Sequence, residues 1–371
     1  MTATLYAGMM SGTSLDGIDA VLAEFGGTGA ATLHGHVHEP LEPVLRAELL
    51  ALNRVGADEL GRAALAANSL ARAYARLLAR LLDEGGVTPS QVRAVGAHGQ
   101  TVRHRPHEPD GVGYTVQLLN GALLAELGGI DVVCDFRSRD LAAGGEGAPL
   151  VPGFHAARFA SPTTARAVLN LGGIANLTLL PVGGPVRGFD CGPGNVLLDL
   201  VCRRATGEPY DRDGRLAARG AVDAALLARW LADPYFSRPA PKSTGRELFD
   251  AGWLDASLAD RADDPATLLA TLAELTAQAA ADALLREAPA TRELYVCGGG
   301  AFNGHLMRRL AARLPALRVA CTATLGVAPD QVEALAFAWL ASAFVEGRPG
   351  NEPAATGARG PRRLGALYPA S

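Results

Sequence analysis

The sequence predicts a two-domain α/β protein in which one folding unit has been duplicated. Three observations predict it. Residues 8–19 (GMMSGTSLDGID) form a glycine-punctuated turn between the apolar stretches 4–7 and 18–25. Residues 167–180 (AVLNLGGIANLTLL) repeat that strand–turn–strand plan with Gly172 and Gly173 at the corner. Around both, short apolar strands alternate with amphipathic helical stretches, the pattern of an α/β sheet.

The first turn is built to let backbone N–H groups approach phosphate oxygens. Gly8, Gly12 and Gly17 are expected to supply positive φ and an uncrowded backbone, and Ser11, Thr13 and Ser14 to supply donors. Asp16 and Asp19 are candidates to hold Mg2+ directly or through water. With Leu15 and Ile18 they complete the first candidate ATP loop; an ordinary hairpin turn is the alternative reading. An apolar-periodic helix follows over residues 57–82, then strands at 94–97 and 114–118, a helix at 121–127 and a strand at 131–136. The glycine-rich stretch 142–150 crosses into the second half, with the boundary placed near Ile130.

The second half opens with its own hairpin, whose Gly172, Gly173 and Asn176 form the second candidate phosphate loop. A helix at 196–206 and a helical region over 223–285 come next. Residues 294–303 (LYVCGGGAFN) then read as a strand ending in Gly298, Gly299 and Gly300 and entering a helix through Asn303. Such a turn suits close contact with a base and ribose, or places a helix N-terminus near negative charge. A helix over 331–344 closes this half, and a Gly/Pro tail, 346–361, returns to dock residues 364–368 on the first domain. Domain I is thus expected at 1–130 plus about 346–371, and domain II at 131–345. The nucleotide is expected in the cleft between them.

Composition sets the class without naming a reaction. A chain of 371 residues, 49% apolar, can bury two cores. Its net charge of −4 and lack of a basic stripe argue against nucleic acid as a partner. The five cysteines are odd in number and lack metal-type spacing, which suggests a reducing compartment. No basic leader and no run of ~18 uninterrupted apolar residues is present, so a cytoplasmic protein without a membrane span is expected. Lys242 is the only lysine, and the arginine-rich composition reads as a genomic bias. His34, His36 and His38 alternate along a strand; a solvent-facing edge explains them better than a metal site, since no carboxylate or cysteine set completes a shell.

The ordered glycine motifs resemble the first phosphate, second phosphate and adenosine motifs of the acetate kinase, sugar kinase, Hsp70 and actin superfamily. Asn170 stands where many of those relatives carry Asp. The resemblance implies an actin-like, ribonuclease H-like fold. A narrower resemblance rests on GMMSGTSLDGID, AHGQTVRHRP, DFRSRDLAAGGEGAPLVPGFH, NLGGIAN, FDCGPGN, CGGGAFN and EALAFAWLA, in order from residue 8 to residue 341. Together they look like the anhydro-N-acetylmuramic acid kinase family. That implies a reaction in which ATP, water and 1,6-anhydro-N-acetylmuramic acid give N-acetylmuramic acid 6-phosphate and ADP, in cell-wall recycling. Another small-molecule kinase of the superfamily, or an ATP-driven binding or filament protein, are the alternatives.

Opening the anhydro bridge needs a base that activates water while O6 takes the γ-phosphoryl group. Asp190, in GFDCGPGN, sits between a strand end and a glycine-rich turn, and the resemblance assigns it this role; a helix-capping Asp is the alternative. Glu333 opens an apolar helix, where it either orients the sugar or the water or complements the helix dipole. His98, Gln100 and Thr101 in AHGQT are candidates for the sugar's hydroxyl and N-acetyl groups, with a structural histidine as the other reading of His98. Arg137 is the candidate partner of the lactyl carboxylate, flanked by Asp135 and Asp140, which otherwise form a local salt-bridge cluster with it. Asp140 and Asn195 complete the substrate-side candidates. The sequence leaves the oligomeric state open, a homodimer included.

Overall fold

The computed structural model describes residues 4–370 apart from 13, 27–30, 241, 243, 245–247, 259–260 and 262–263. It divides into two compact units, Met1–Arg158 with Gln331–Ser371, and Phe159–Asp330.

In the first unit β1 (Leu5–Ser11), β2 (Gly17–Phe25) and β3 (Ala31–Pro40) form an antiparallel meander. β4 (Val92–Ala97) then lies parallel to β1, β5 (Gln100–Arg105) and β6 (Tyr114–Leu118) pair as a separate hairpin, and β7 (Val132–Cys134) lies parallel to β4. The sheet order is β7-β4-β1-β2-β3. Period-two alternation sends Ala7, Met9, Ile18, Ala20 and Leu22 to one face. Helix Glu59–Gly85 covers them with Leu70, Tyr74, Leu77, Leu78 and Leu81, spaced three and four apart. On the opposite face helix Val332–Val345 comes close enough to need glycine beneath it. A Cβ on Gly8 would stand 2.0 Å from Ala334 O, and one on Gly96 would stand 2.0 Å from Phe337 O. These two glycines therefore set the depth of the helix that carries Glu333.

The second unit repeats the topology. β8 (Arg166–Leu171), β9 (Ile174–Leu180) and β10 (Arg187–Pro193) form a meander, with β11 (Glu293–Cys297) parallel to β8 and β12 (Arg318–Cys321) parallel to β11. The order β10-β9-β8-β11-β12 repeats the five strands β3-β2-β1-β4-β7 of the first sheet. The duplication read from two glycine corners is thus a duplication of whole sheets. Helix Pro265–Glu287 is long and apolar enough to span a membrane by length and composition, yet 83% of that stretch is buried as the core of this unit. Its one fully buried carboxylate, Glu274, is held by Arg309 and Arg313 of helix Gly304–Arg313.

The final strand, β13 (Ala366–Tyr368), returns to the first unit and pairs antiparallel with β7. This docking was expected, but the unit boundaries differ from the sequence reading. The first unit runs to Arg158 rather than to Ile130, and it takes helix Val332–Val345 from the second. The reason is nonlocal pairing: β7 bonds to β4 and β13, and the helix fills the glycine floor of β1 and β4. None of the five cysteines forms a disulfide.

Candidate active site

In the first unit, β1 and β2 pair from Leu5↔Glu24 to Ser11↔Ile18, leaving 12–16 as the turn, closed by Leu15 N–H donating to Gly12 O at 3.2 Å. A Cβ on Gly12 would meet Ser14 Oγ at an ordinary 3.5 Å, Asp16 is exposed, and Ser14 Oγ donates to Asp16 at 2.6 Å. Thr13 lies outside the described residues. The positive φ expected of Gly8, Gly12 and Gly17 falls instead on Leu15, at 56°. Leu15 and Ile18, 2% and 1% exposed, point into the core beneath the sheet, so neither side chain is available to a nucleotide. Ser11 is also buried, bonded to Tyr74 Oη and Gly99 O. Gly17 packs against His38 and Glu39 of β3. Asp19 is engaged by His36 Nε2 and His38 Nδ1, each donating to Oδ1 at 3.1 Å. Burial pushes the Asp19 carboxyl up, but the two imidazoles outweigh it and hold it below its ordinary value. Asp19 is therefore tied to the edge strand, and Asp16 is the carboxylate the turn presents outward.

A second cluster in this unit gathers around Arg137. Its Nε and Nη2 donate to His98 Nε2 at 3.2 and 2.9 Å, and its Nη1 donates to Gly147 O at 2.8 Å. A guanidinium carries five N–H groups, so one on each terminal nitrogen remains for a carboxylate. Burial pushes Arg137 down to about 10, opposed by the charges of Glu333 and Asp140. Glu333, in the first turn of its helix, thus lies near enough for its charge to act on the same guanidinium. Gln100 is 1% exposed and its Oε1 has no hydrogen-bond partner, an acceptor left waiting for a donor. Along the β5–β6 hairpin, Gln117 Nε2 donates to Thr101 Oγ1 at 3.2 Å and to Thr115 Oγ1 at 2.8 Å, and His104 Nδ1 meets Thr115 Oγ1 at 3.0 Å.

Two of the substrate-side candidates prove to be supports. His98 is 4% exposed and both ring nitrogens are taken, Nδ1 by Gly99 O at 2.8 Å and Nε2 by Arg137, so it aims the arginine rather than a sugar. Asp140 is fully buried and accepts from Gly147 N, Asn351 Nδ2 and Thr356 Oγ1 at 2.8, 2.7 and 2.9 Å. It anchors the glycine-rich loop, and through Gly147 it fixes the carbonyl that Arg137 uses. The Asp135 carboxylate accepts from Ser138 Oγ.

Burial and the nearby Arg137 charge push His98 down to about 3. The unfolded chain takes up a proton near the ordinary histidine pKa of ~6.5, and the folded one refuses it. This stability is therefore present above about pH 6.5 and is lost as pH falls toward about 3. Urea midpoints measured from pH 7.5 to 5 should fall more steeply for the parent than for His98→Asn. The expected difference approaches ~1.4 kcal/mol per pH unit at the acid end; equal slopes would place the titration elsewhere.

In the second unit, Asn170, Asn176 and Asp190 are direct cross-strand partners on β8, β9 and β10, so they stand in one row on one face of the sheet. The other face carries Leu169, Leu171, Ala175, Leu177, Phe189 and Cys191 into the core. Asn176 thus sits beside Asp190 rather than at the glycine corner. The register shifts between Asp190 and Gly192, a bulge of the kind that re-aims a side chain. Asp190 is not the cap of helix Val196–Thr206: the residue preceding that helix is Asn195, and Asp190 Oδ2 accepts from Thr244 N at 2.9 Å. Asn195 Nδ2 donates to Leu171 O at 2.8 Å, bracing the Gly172–Gly173 corner, so it serves that loop.

The two glycine motifs of this unit meet. Gly298 adopts φ 77°, and a Cβ there would stand 2.3 Å from Asn170 Oδ1; one on Gly300 would stand 2.5 Å from Leu171 Cβ. Gly172 and Gly173 have ordinary room around them. Gly299 lies on the same short turn, and Asn303 caps the following helix by accepting from Leu306 N at 3.0 Å, which commits its side chain to the backbone.

The sequence model of the family described as anhydro-N-acetylmuramic acid kinase matches residues 4–370. The chain belongs to the anhydro-N-acetylmuramic acid kinase family. Membership makes it a phosphotransferase. A relative named anhydro-N-acetylmuramic acid kinase from Variovorax paradoxus (strain S110) is 56% identical, with both chains fully covered. One of the same name from Bordetella petrii is 59% identical over 99% of this chain and 96% of its own. Sequence reasoning had missed Thr244, Tyr235 and Gln117 in this kinase. Thr244 and Tyr235 reach Asp190 from a segment some 50 positions away, with no local signal to mark them.

Proposed function

We propose that Asp190 is the general base of this kinase and that Arg137, Gln100 and Glu333 engage the sugar. The reaction takes ATP, water and 1,6-anhydro-N-acetylmuramic acid to N-acetylmuramic acid 6-phosphate and ADP, a step of peptidoglycan recycling. Water attacks C1 and passes a proton to Asp190, the C1–O6 bond breaks, and O6 takes the γ-phosphoryl group from ATP.

The observation that carries this reading is the placement of Asp190. It is the one carboxylate in a polar row otherwise made of amides, on a bulged strand, with one oxygen fixed by a backbone N–H. Arg137, held by His98 and Gly147, offers its two remaining N–H groups to the lactyl carboxylate. The orphan Gln100 Oε1 is matched to a donor such as the acetamido N–H. Gly172, Gly173 and the Gly298–Gly300 turn are the candidates to hold ATP, with the backbone of the 12–16 turn as the first loop. Mg2+ fits the exposed Asp16, because this ion keeps several waters and needs only one or two protein carboxylates beside the phosphates. When bound it supplies charge neutralisation of the phosphates.

An assay of ADP release with the anhydro sugar, with ordinary N-acetylmuramic acid and with neither tests the reading. ADP release is expected only with the anhydro form; equal turnover with the ordinary sugar would overturn the coupled hydrolysis.

A further inference from the structure

Lysine and arginine together number 34 in this chain, and Lys242 alone is lysine. It is also buried, 4% exposed. Its Nζ donates to Tyr235 O at 3.0 Å and to Phe236 O at 3.4 Å, on the short helix Pro234–Ser237. It stands 4.5 Å from the centre of the Tyr235 ring. A buried ammonium is costly unless such acceptors and an aromatic face offset the lost hydration. The arrangement converges on one residue. Asp190 N–H donates to Lys242 O at 2.9 Å, Tyr235 Oη donates to Asp190 O at 2.8 Å, and Thr244 N–H donates to Asp190 Oδ2 at 2.9 Å.

We infer that Lys242 is a positioning residue for Asp190, an inference that rests on Asp190 being the base. β10 is an edge strand, so its outer side faces no sheet strand, while a bulge against β9 falls just after Asp190. Tyr235, Lys242 and Thr244 supply partners there, and the ammonium ties Lys242 to the Tyr235 and Phe236 carbonyls. A compact cation suits this grip, since a guanidinium is larger and planar. The Thr244 N–H favours the ionised carboxylate, the form a base needs. Among the described residues, Cys191 and Tyr235 are titratable groups beside Asp190, both pushed up by burial and then by the Asp190 charge. They keep their protons through the neutral range. Arg238, Arg286 and Glu287 are the charged groups around Lys242.

The test compares Lys242→Met and Tyr235→Phe with the parent by steady-state kinetics from pH 5 to 9 and by thermal melting, with Asp190→Asn run alongside. Both variants are expected to lose about 10–100-fold in kcat with KM for ATP and sugar within about twofold. The acid limb of the kcat profile should move to higher pH, because a loosened Thr244 N–H no longer favours the ionised base. A lower Tm with normal kcat and an unmoved acid limb, assayed well below that Tm, would overturn the inference. Should Lys242→Met yield no folded protein, Tyr235→Phe decides by the same limits. An inactive Asp190→Asn beside normal positioning variants removes the inference and leaves the base; an active Asp190→Asn removes both.

Discussion

Asp190→Asn is expected to lower kcat by roughly 10²–10⁴-fold while the affinity for ATP changes little. The substitution keeps the shape of the side chain. An amide oxygen can still accept from Thr244 N, and the backbone bonds to Lys242 O and from Tyr235 Oη do not involve the carboxylate. What disappears is the basicity. Nucleotide binding is assigned to glycine turns that the change leaves untouched, so calorimetric titration with a non-hydrolysable ATP analogue should give a near-parental Kd. Near-normal turnover would show that another group takes the proton from water.

Arg137→Ala is the second large effect, and it should separate the two substrates. Hydrogen bonds to a charged group contribute about 1.5–3 kcal/mol, which converts to a rise in sugar KM of roughly 10–150-fold. The KM for ATP should stay within about threefold. A stability cost accompanies it, because His98 Nε2 and Gly147 O lose their donor in a buried setting. Melting curves and Arg137→Lys therefore belong in the comparison. The lysine retains charge but not the planar fork, so it should recover stability better than it recovers sugar affinity. Equal changes in both KM values would reject the carboxylate role.

The parts of this molecule that were readable in advance are those whose cause is local. A glycine pair between two apolar runs forces a corner, so the 172–173 and Gly298–Gly300 turns stand where the sequence placed them, whereas the first turn, expected over 8–19, shrinks to 12–16 because β1 runs on through Ser11 and β2 starts at Gly17. Helix Val196–Thr206 and strand β6 matched residue for residue, since their periods and flanking turn residues are self-contained. Facing was harder. A motif string such as SLDGID does not say that Leu15 and Ile18 turn inward while Asp16 turns out; only the pleat and the helix beneath decide that. Long-range choices were hardest. Asp140 does stand near Arg137, yet its carboxylate is bonded by Asn351 and Thr356, more than 200 positions on. The unit boundary moved for the same reason, since β7 is defined by the strands it joins.

The pairing of β13 with β7 has a consequence for biogenesis. The first unit is begun early in translation and finished last, because helix Val332–Val345 and β13 emerge only after the entire second unit. At about 5–20 residues per second, the nascent sheet waits on the order of ten seconds or more with the glycine floor of β1 and β4 uncovered and the outer edge of β7 unpaired. The second unit, continuous in the chain, can complete its core meanwhile. Ribosome-bound intermediates of this kinase should therefore mature from the middle outward, with the early segment in need of protection until the tail arrives.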